Sequence, residues 1–271
     1  MIPVRGSTRV LAVVGHPISH SLSPAMFNAA FSALGLDAVY VPVDTPPAAL
    51  PHVLRAFEAV GTAGNITVPH KLQAAELLIR KTDLAVELDA VNTFWPDGDR
   101  LVGDNTDVAG VLDALRHLDA EGPWLVAGTG GSARAVAAAA RAAATTLLVQ
   151  SRRPQRAADF VKWATNLDID AHVDDGRPVS TAINATPLGL QPDDPTPFAH
   201  ERVHGCSAAL DLVYAPGETR WCREVRSHGI RTGDGRLVLV GQGTLAFQRF
   251  FPDTAPPRAI MSAAVERALA P

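Results

Sequence analysis

Residues 124–133 read Trp124-Leu125-Val126-Ala127-Gly128-Thr129-Gly130-Gly131-Ser132-Ala133, four apolar residues, a glycine-rich turn, and the start of an alanine-rich run. The pattern Gly128-x-Gly130-x-x-Ala133 follows a predicted strand and opens a predicted helix. Each small residue has a mechanical reason: one permits the tight turn, one lets the backbone approach a pyrophosphate, and the third lets the helix lie close on the strand. The amino terminus of the helix adds unpaired N–H groups and a dipole that favours phosphate. The stretch therefore predicts a dinucleotide site on Gly128, Thr129, Gly130, Gly131, Ser132 and Ala133, against the bland alternative of a structural glycine turn.

About 20 residues further on, a cofactor with a free ribose 2'-hydroxyl calls for a carboxylate at the end of the next strand. This chain has Gln150-Ser151-Arg152-Arg153-Pro154-Gln155-Arg156 instead. Three guanidiniums and no carboxylate suit a 2'-phosphate, which they bind through charge-assisted hydrogen bonds. Ser151, Arg152, Arg153 and Arg156 thus point to NADP rather than NAD, with a solvated basic loop as the competing reading.

Outward from this unit, short runs rich in Val, Leu and Ile alternate with alanine-rich segments of helical period, which predicts an α/β fold with parallel strands and crossover helices. Strands are expected at 10–15, 38–43, 65–68 and 90–95, with a hairpin through PDGD into RLVGD. A polar-capped helix is expected over 104–119, and EGP after it marks a boundary. Further strands are expected at 145–150, 182–184 and 208–213, and helices at 221–228, 236–251 and 257–270. Two domains follow: one of about 1–105 completed by carboxyl-terminal helices (237–271), and a Rossmann-like one over 120–236, with a deep ligand cleft between them.

The totals narrow the partners. Of 271 residues, 47% are hydrophobic and 19% charged, a globular composition. A net charge of −4 without a basic cluster argues against nucleic acid. The two cysteines, Cys206 and Cys222, are too few for a zinc site or a disulfide framework, so no metal is expected. No apolar run reaches the roughly 18 to 20 residues of a membrane span, and the first 20 residues lack a leader pattern. A cytoplasmic protein acting on a small molecule is the expectation, with monomer and homodimer both open.

Four polar segments sit where predicted strands end: Ser21-Leu22-Ser23-Pro24, Asn65 to Lys71 (NITVPHK), Ala90-Val91-Asn92-Thr93, and Gly103-Asp104-Asn105-Thr106-Asp107. Ligands of open α/β sheets collect beyond the carboxyl ends of the strands, so these side chains are candidates for one site. Taken alone each has an ordinary reading: Ser23 before Pro24 as a helix cap, Asp107 as another cap, Lys71 as a solvated helix residue.

Together, GHPISHSLSP, NITVPHK, AVNT, NTD, GTGGSA, NATPLG at 184–189 and a carboxyl-terminal helix containing Gln242 resemble, in order and over essentially the whole length, the shikimate dehydrogenase family (shikimate/quinate dehydrogenases). The resemblance implies reversible NADPH-dependent reduction of the 3-keto group of 3-dehydroshikimate to shikimate, in aromatic amino-acid biosynthesis. It implies Lys71 and Asp107 as the catalytic pair. Ser21 and Ser23 would hold the substrate carboxylate, and Thr67, Asn92, Asp107, Tyr214 and Gln242 would contact the rest of the ring. Thr186, Leu212 and Gly235 would lie near the nicotinamide. By the same comparison His16, His20 and His70 leave the proton to lysine and are structural.

The chain departs from the family pattern in two places. Asn-Arg-Thr becomes Ser151-Arg152-Arg153, which opens dual use of NAD and NADP. Gly-Met-Leu-Val becomes Leu237-Val238-Leu239-Val240, and Gln-Ala-Ala becomes Gln242-Gly243-Thr244, which opens quinate or an amino analogue as substrate. A non-catalytic dinucleotide-binding regulator would be marked by loss of Lys71 or Asp107, and both are present. A folate dehydrogenase of related architecture would not need SLSP and NTD together.

Overall fold

A computed structural model describes residues 4–270. The chain divides into two compact units, one of the described residues up to Thr106 with Gln242–Ala268, the other Asp107–Gly241. The expected extents differ from these units by the helix after Thr106 and the first turns of the helix bearing Gln242; residues 1–3 and 271 lie outside the described residues.

The first unit carries strands β1 (Arg9–Gly15), β2 (Ala38–Asp44), β3 (Ala63–Ile66), β4 (Arg80–Lys81), β5 (Thr93–Asp97) and β6 (Arg100–Asp104) in the order β2-β1-β3-β5-β6-β4. Its helices are α1 (Ser23–Leu34), α2 (Leu50–Val60), α3 (Lys71–Leu77) and α4 (Asp83–Leu88). Strands β1, β2 and β3 are mutually parallel, whereas β5 runs antiparallel to both β3 and β6. The expected strand 90–95 is shifted to Thr93–Asp97, because the Val91 amide leaves the ladder to bond the Lys71 carbonyl at 2.9 Å.

Helix α1 forms because apolar Met26, Phe27, Ala30 and Phe31 make one buried face, and it stops where Gly35 adopts φ 65° and its amide closes on Ser32 and Phe31 carbonyls. Phe27 stacks on Tyr40 with ring centroids 4.4 Å apart. Gly64 is required for a different reason: a Cβ there would lie 2.0 Å from the Ala12 carbonyl oxygen on the neighbouring strand. On the other side of the sheet Val14, Leu50, Ile66, Ala74, Phe94 and Leu101 form the core.

The second unit opens with α5 (Asp107–His117) and carries β7 (Trp124–Ala127), β8 (Leu147–Gln150), β9 (Ala171–Val173), β10 (Thr181–Asn184), β11 (Ala208–Asp211) and β12 (Arg231–Gly233). Helices α6 (Gly131–Ala142), α7 (Pro154–Thr165), α8 (His200–Val203) and α9 (Arg220–Ser227) connect them. The sheet is wholly parallel in the order β12-β11-β10-β7-β8-β9. Counted within the unit this is 6-5-4-1-2-3, the doubly wound Rossmann order, whose direction reverses between β7 and β10. Leu125, Leu148, Ala182, Phe198, Ala209 and Trp221 fill its core.

Helix α10 (Gly235–Phe250) crosses the division of the chain, and α11 (Arg258–Ala268) follows and rests on α1. Among the described residues no helix is long and apolar enough to cross a membrane.

Candidate active site

In the first unit three of the four polar segments, those of Asn65, Asn92 and Thr106, meet through a buried hydrogen-bond network. Tyr40 Oη donates to Asn65 Oδ1 at 2.7 Å, and Asn65 Nδ2 donates to Thr93 Oγ1 at 2.9 Å. Asn92 Oδ1 accepts from the Thr106 amide at 2.7 Å, and Asn92 Nδ2 donates to Thr106 Oγ1 at 3.0 Å and to Gln242 Oε1 at 3.4 Å. The Thr106 hydroxyl also lies 3.3 Å from Gln242 Oε1. All of these polar residues are buried, so each unmet donor or acceptor would be costly, and the network fixes one arrangement of side chains.

Backbone bonds tie the neighbouring segments to this network. The Ile66 amide bonds the Asn92 carbonyl at 2.8 Å, the Thr67 amide bonds the Val14 carbonyl at 2.9 Å, and Val91 reaches Lys71 as described. Thr67 and Lys71, both partly exposed, therefore sit beside the carboxyl ends of β1 and β3. Lys71 is the first residue of α3, and Asp107, 8% exposed, opens α5 directly after Thr106.

His70, wholly buried, donates from Nε2 to the Thr45 carbonyl at 2.7 Å, while Nδ1 has no partner among the described residues. Burial pushes its pKa down, against the pull of the Thr45 bond, so the ring is held neutral as an anchor for the start of α3. His16 pairs at the surface with Asp44 at 2.9 Å.

One expectation is corrected. Ser23 does not cap α1: Leu22 occupies that position with helical φ/ψ and no side-chain cap, and Ser23 is the first helical residue. Because the helix begins one residue earlier than the sequence signal implied, the hydroxyl that meets a free amide is that of Ser21, which accepts from the Ser23 N–H at 3.4 Å. Ser23 is 5% exposed and Ser21 partly exposed.

In the second unit Gly128 has φ 113°, and a Cβ there would lie 2.7 Å from the Ala185 carbonyl oxygen, so the turn after β7 is closed against the end of β10. Gly130 is different. It has φ −89°, and a Cβ would meet nothing within 4 Å, so no intramolecular packing demands glycine there. The open space in front of the first turn of α6 is what an approaching pyrophosphate needs, which is the fit test for a dinucleotide.

Arg152, Arg153 and Arg156 are exposed, and among the described residues none of the three is ion-paired. No carboxylate closes β8, which ends on Gln150. The donor set at this edge is cationic and open to an added phosphate.

Beyond β10 and β11, Asn184 is a hub. Its Oδ1 accepts from the Thr186 amide at 3.0 Å and the Thr186 hydroxyl at 2.7 Å; its Nδ2 donates to the Leu188 carbonyl at 2.9 Å and to Asp211 Oδ1 at 2.8 Å. The Leu212 carbonyl would lie 2.4 Å from a Cβ at Gly235, and the edge of the Tyr214 ring 3.0 Å from it. Thr186, Leu212, Tyr214 and Gly235 therefore cluster at the carboxyl end of this sheet. Among the described residues no group of three or more His, Cys, Asp or Glu is disposed to hold a metal.

Asn65, Thr93, Thr106, Asn184 and Asp211 carry no role read from sequence, although the first four lie inside the motifs singled out. Each is a polar residue at or within a few positions of a short apolar run.

Residues 13–94 match the model of the shikimate dehydrogenase substrate binding domain. A shikimate dehydrogenase (NADP(+)) of Symbiobacterium thermophilum is 37% identical over 96% of this chain and 95% of its own length. That of Thermus thermophilus is 40% identical over 95% of this chain and 98% of its own. The Thermus thermophilus enzyme has been solved in complex with NADP(H) and shikimate; that structure superposes with a TM-score of 0.87 at 37% identity, covering 96% of this chain and 99% of the other. With relatives at this identity along nearly its whole length, the chain belongs to the shikimate dehydrogenase family.

Proposed function

We propose that this chain is an NADP-dependent oxidoreductase that interconverts 3-dehydroshikimate and shikimate in aromatic biosynthesis. The observation that carries the reading is the buried Asn92–Thr106–Gln242 cluster, directly followed in the chain by Asp107 and tied through the main chain to Lys71. The relatives named for NADP and shikimate support it.

In the oxidising direction a hydride leaves C3 of the ring and a proton leaves its 3-hydroxyl; reduction reverses both. NADP(H), when bound, supplies or accepts the hydride. Lys71 holds the proton at the 3-oxygen, and Asp107 pairs with the same hydroxyl and orients the ammonium, so that charge developing on oxygen is met by a donor already in place. Ser21 and Ser23 take the ring carboxylate through hydroxyl and amide donors. Thr67, Asn92, Tyr214 and Gln242 take the ring hydroxyls. A site whose buried polar groups are matched to hydroxyls rejects rings that lack them, because the unpaired groups would then be stranded.

On the cofactor side Gly128 to Ala133 receive the pyrophosphate, and Ser151, Arg152, Arg153 and Arg156 receive the 2'-phosphate. Thr186, Leu212 and Gly235 border the nicotinamide. Absorbance at the reduced-nicotinamide band, recorded with shikimate, quinate and an amino analogue against NADP and NAD, tests the reading. Turnover confined to shikimate with NADP is expected; preference for another ring or for NAD overturns the corresponding part.

A further inference from the structure

The face of α10 that carries Gln242 also carries Arg249, seven residues or two helical turns later. Arg249 reaches Asp104, at the end of β6, donating from Nε to Oδ2 at 3.0 Å, with Nη2 ion-paired to the same oxygen at 3.0 Å. Its guanidinium lies 5.4 Å from the centroid of the Trp95 ring on β5. Asp104 Oδ1 is occupied from the other side, by the Thr82 hydroxyl at 2.6 Å and the Asn105 amide at 2.8 Å. Asp104 is 3% exposed, and Thr106, the residue that bonds Asn92 and lies against Gln242, stands two positions further along the same strand end.

The helix is thus held to one strip of chain at two points, Gln242 on Thr106 and Arg249 on Asp104. Core packing of Ala246, Phe247 and Phe250 fixes the helix broadly, and these two polar contacts, two turns apart, set the position of its polar face on this strip. The Thr82 and Asn105 donors both meet Oδ1, so Arg249 serves Oδ2 and the charge of Asp104, and in the same contact it connects this strand end to α10. We propose that Arg249 and Asp104 are positioning residues that set the rotation of the Gln242 side chain on the Asn92–Thr106 pair, and so tune recognition of the ring hydroxyls without touching the substrate. This rests on the reading of Gln242 as a substrate ligand.

The test is steady-state kinetics and thermal unfolding of Arg249→Met, Arg249→Lys, Asp104→Asn and the double Arg249→Met/Asp104→Asn variant. Changes along a contact chain of this kind alter binding by about 3- to 30-fold. Arg249→Met is expected to raise KM for shikimate by that factor while KM for NADP stays unchanged, with Arg249→Lys recovering most of the loss. The double variant, which leaves no unpaired charge, is expected to regain thermal stability but keep the raised shikimate KM; a purely structural pair would recover both together. Unchanged shikimate KM in Arg249→Met, or its return in the double variant, overturns the proposal. If Arg249→Met fails to fold, Asp104→Asn decides: a raised shikimate KM with an unchanged NADP KM is expected, and an unchanged shikimate KM overturns the proposal. Absence of shikimate turnover in the unmodified protein would instead sink the functional reading.

Discussion

Asp211→Asn should change how stability depends on pH, and the size follows from three hydrogen bonds and complete burial. Asp211 ends β11 with no exposed surface. Its carboxyl accepts from Asn184 Nδ2 at 2.8 Å, the Val213 amide at 3.0 Å and the Thr219 hydroxyl at 2.7 Å. Burial raises its pKa, those three donors pull it back, and the charge of Asp234 adds to the rise, leaving it at about 6 against an ordinary 3.8. The folded protein therefore binds this proton more tightly than the unfolded chain. The stabilisation is full below pH 3.8 and is lost as pH rises through about 6. At about 1.4 kcal/mol per pH unit, the displacement corresponds to about 3 kcal/mol. Asparagine cannot ionise, yet it keeps an oxygen for Asn184 and Val213 and offers its amide to Thr219. Groups shared by both proteins cancel in the difference between them. Denaturant unfolding of wild type and variant from pH 4 to pH 8 should show the variant gaining on wild type by about 2 kcal/mol across that range, the remainder lying below pH 4. A flat difference, or a wild type that gains as pH rises, would refute the reasoning, because it would mean that hydrogen bonding outweighs desolvation at Asp211.

Lys71→Ala should lower turnover by about 10²- to 10⁴-fold, the usual contribution of a positioned proton donor; NADP affinity measured by fluorescence should be retained, and near-normal turnover would remove Lys71 from the chemistry. Arg152→Ala should raise KM for NADPH by roughly 10- to 100-fold and leave that for NADH nearly unchanged, since only the phosphate loses its charge-assisted bonds. Equal losses would show that the arginines do not read the 2'-phosphate. Gly64→Ala places a methyl 2.0 Å from the Ala12 oxygen and 3.0 Å from the Phe94 ring, so β3 must move from β1; a loss of more than about 3 kcal/mol in denaturant unfolding is expected.

The strands that build the two sheets are legible where they are apolar: β1, β2, β7, β8 and β11 all coincide with runs rich in Val, Leu, Ile and Ala. Those that escaped are short and polar. Arg80–Lys81, Ala171–Val173 and Arg231–Gly233 each sit at an edge of a sheet, where one side of the strand pairs and the sequence carries too few alternations to show a period. The start of β5 was misplaced for a related reason. Ala90 and Val91 have strand-like side chains, but the Val91 amide is taken by Lys71, a partner 20 residues away that no local pattern announces.

The site divides along the same line. Gly128 and Gly130 could be read from spacing because a turn and a close approach constrain consecutive residues. Structure then separates them: Gly128 is forced by its φ and by Ala185, whereas Gly130, the cap of α6, faces open space and is not required by packing. Lys71, Asn92, Asp107 and Gln242 stood out as polar residues at strand ends or in a recognisable motif, but what fixes them did not. Asn92 meets Gln242 across 150 positions of sequence, and Asp104 meets Arg249 across 145. An arginine in a helix and an aspartate at a strand end carry no sign of each other in sequence, and only the fold shows that they close on one another two turns from Gln242. Pairings of that length depend on how α10 returns to β6, so the supporting residues of a candidate site stay hidden in a single sequence even when its motif residues do not.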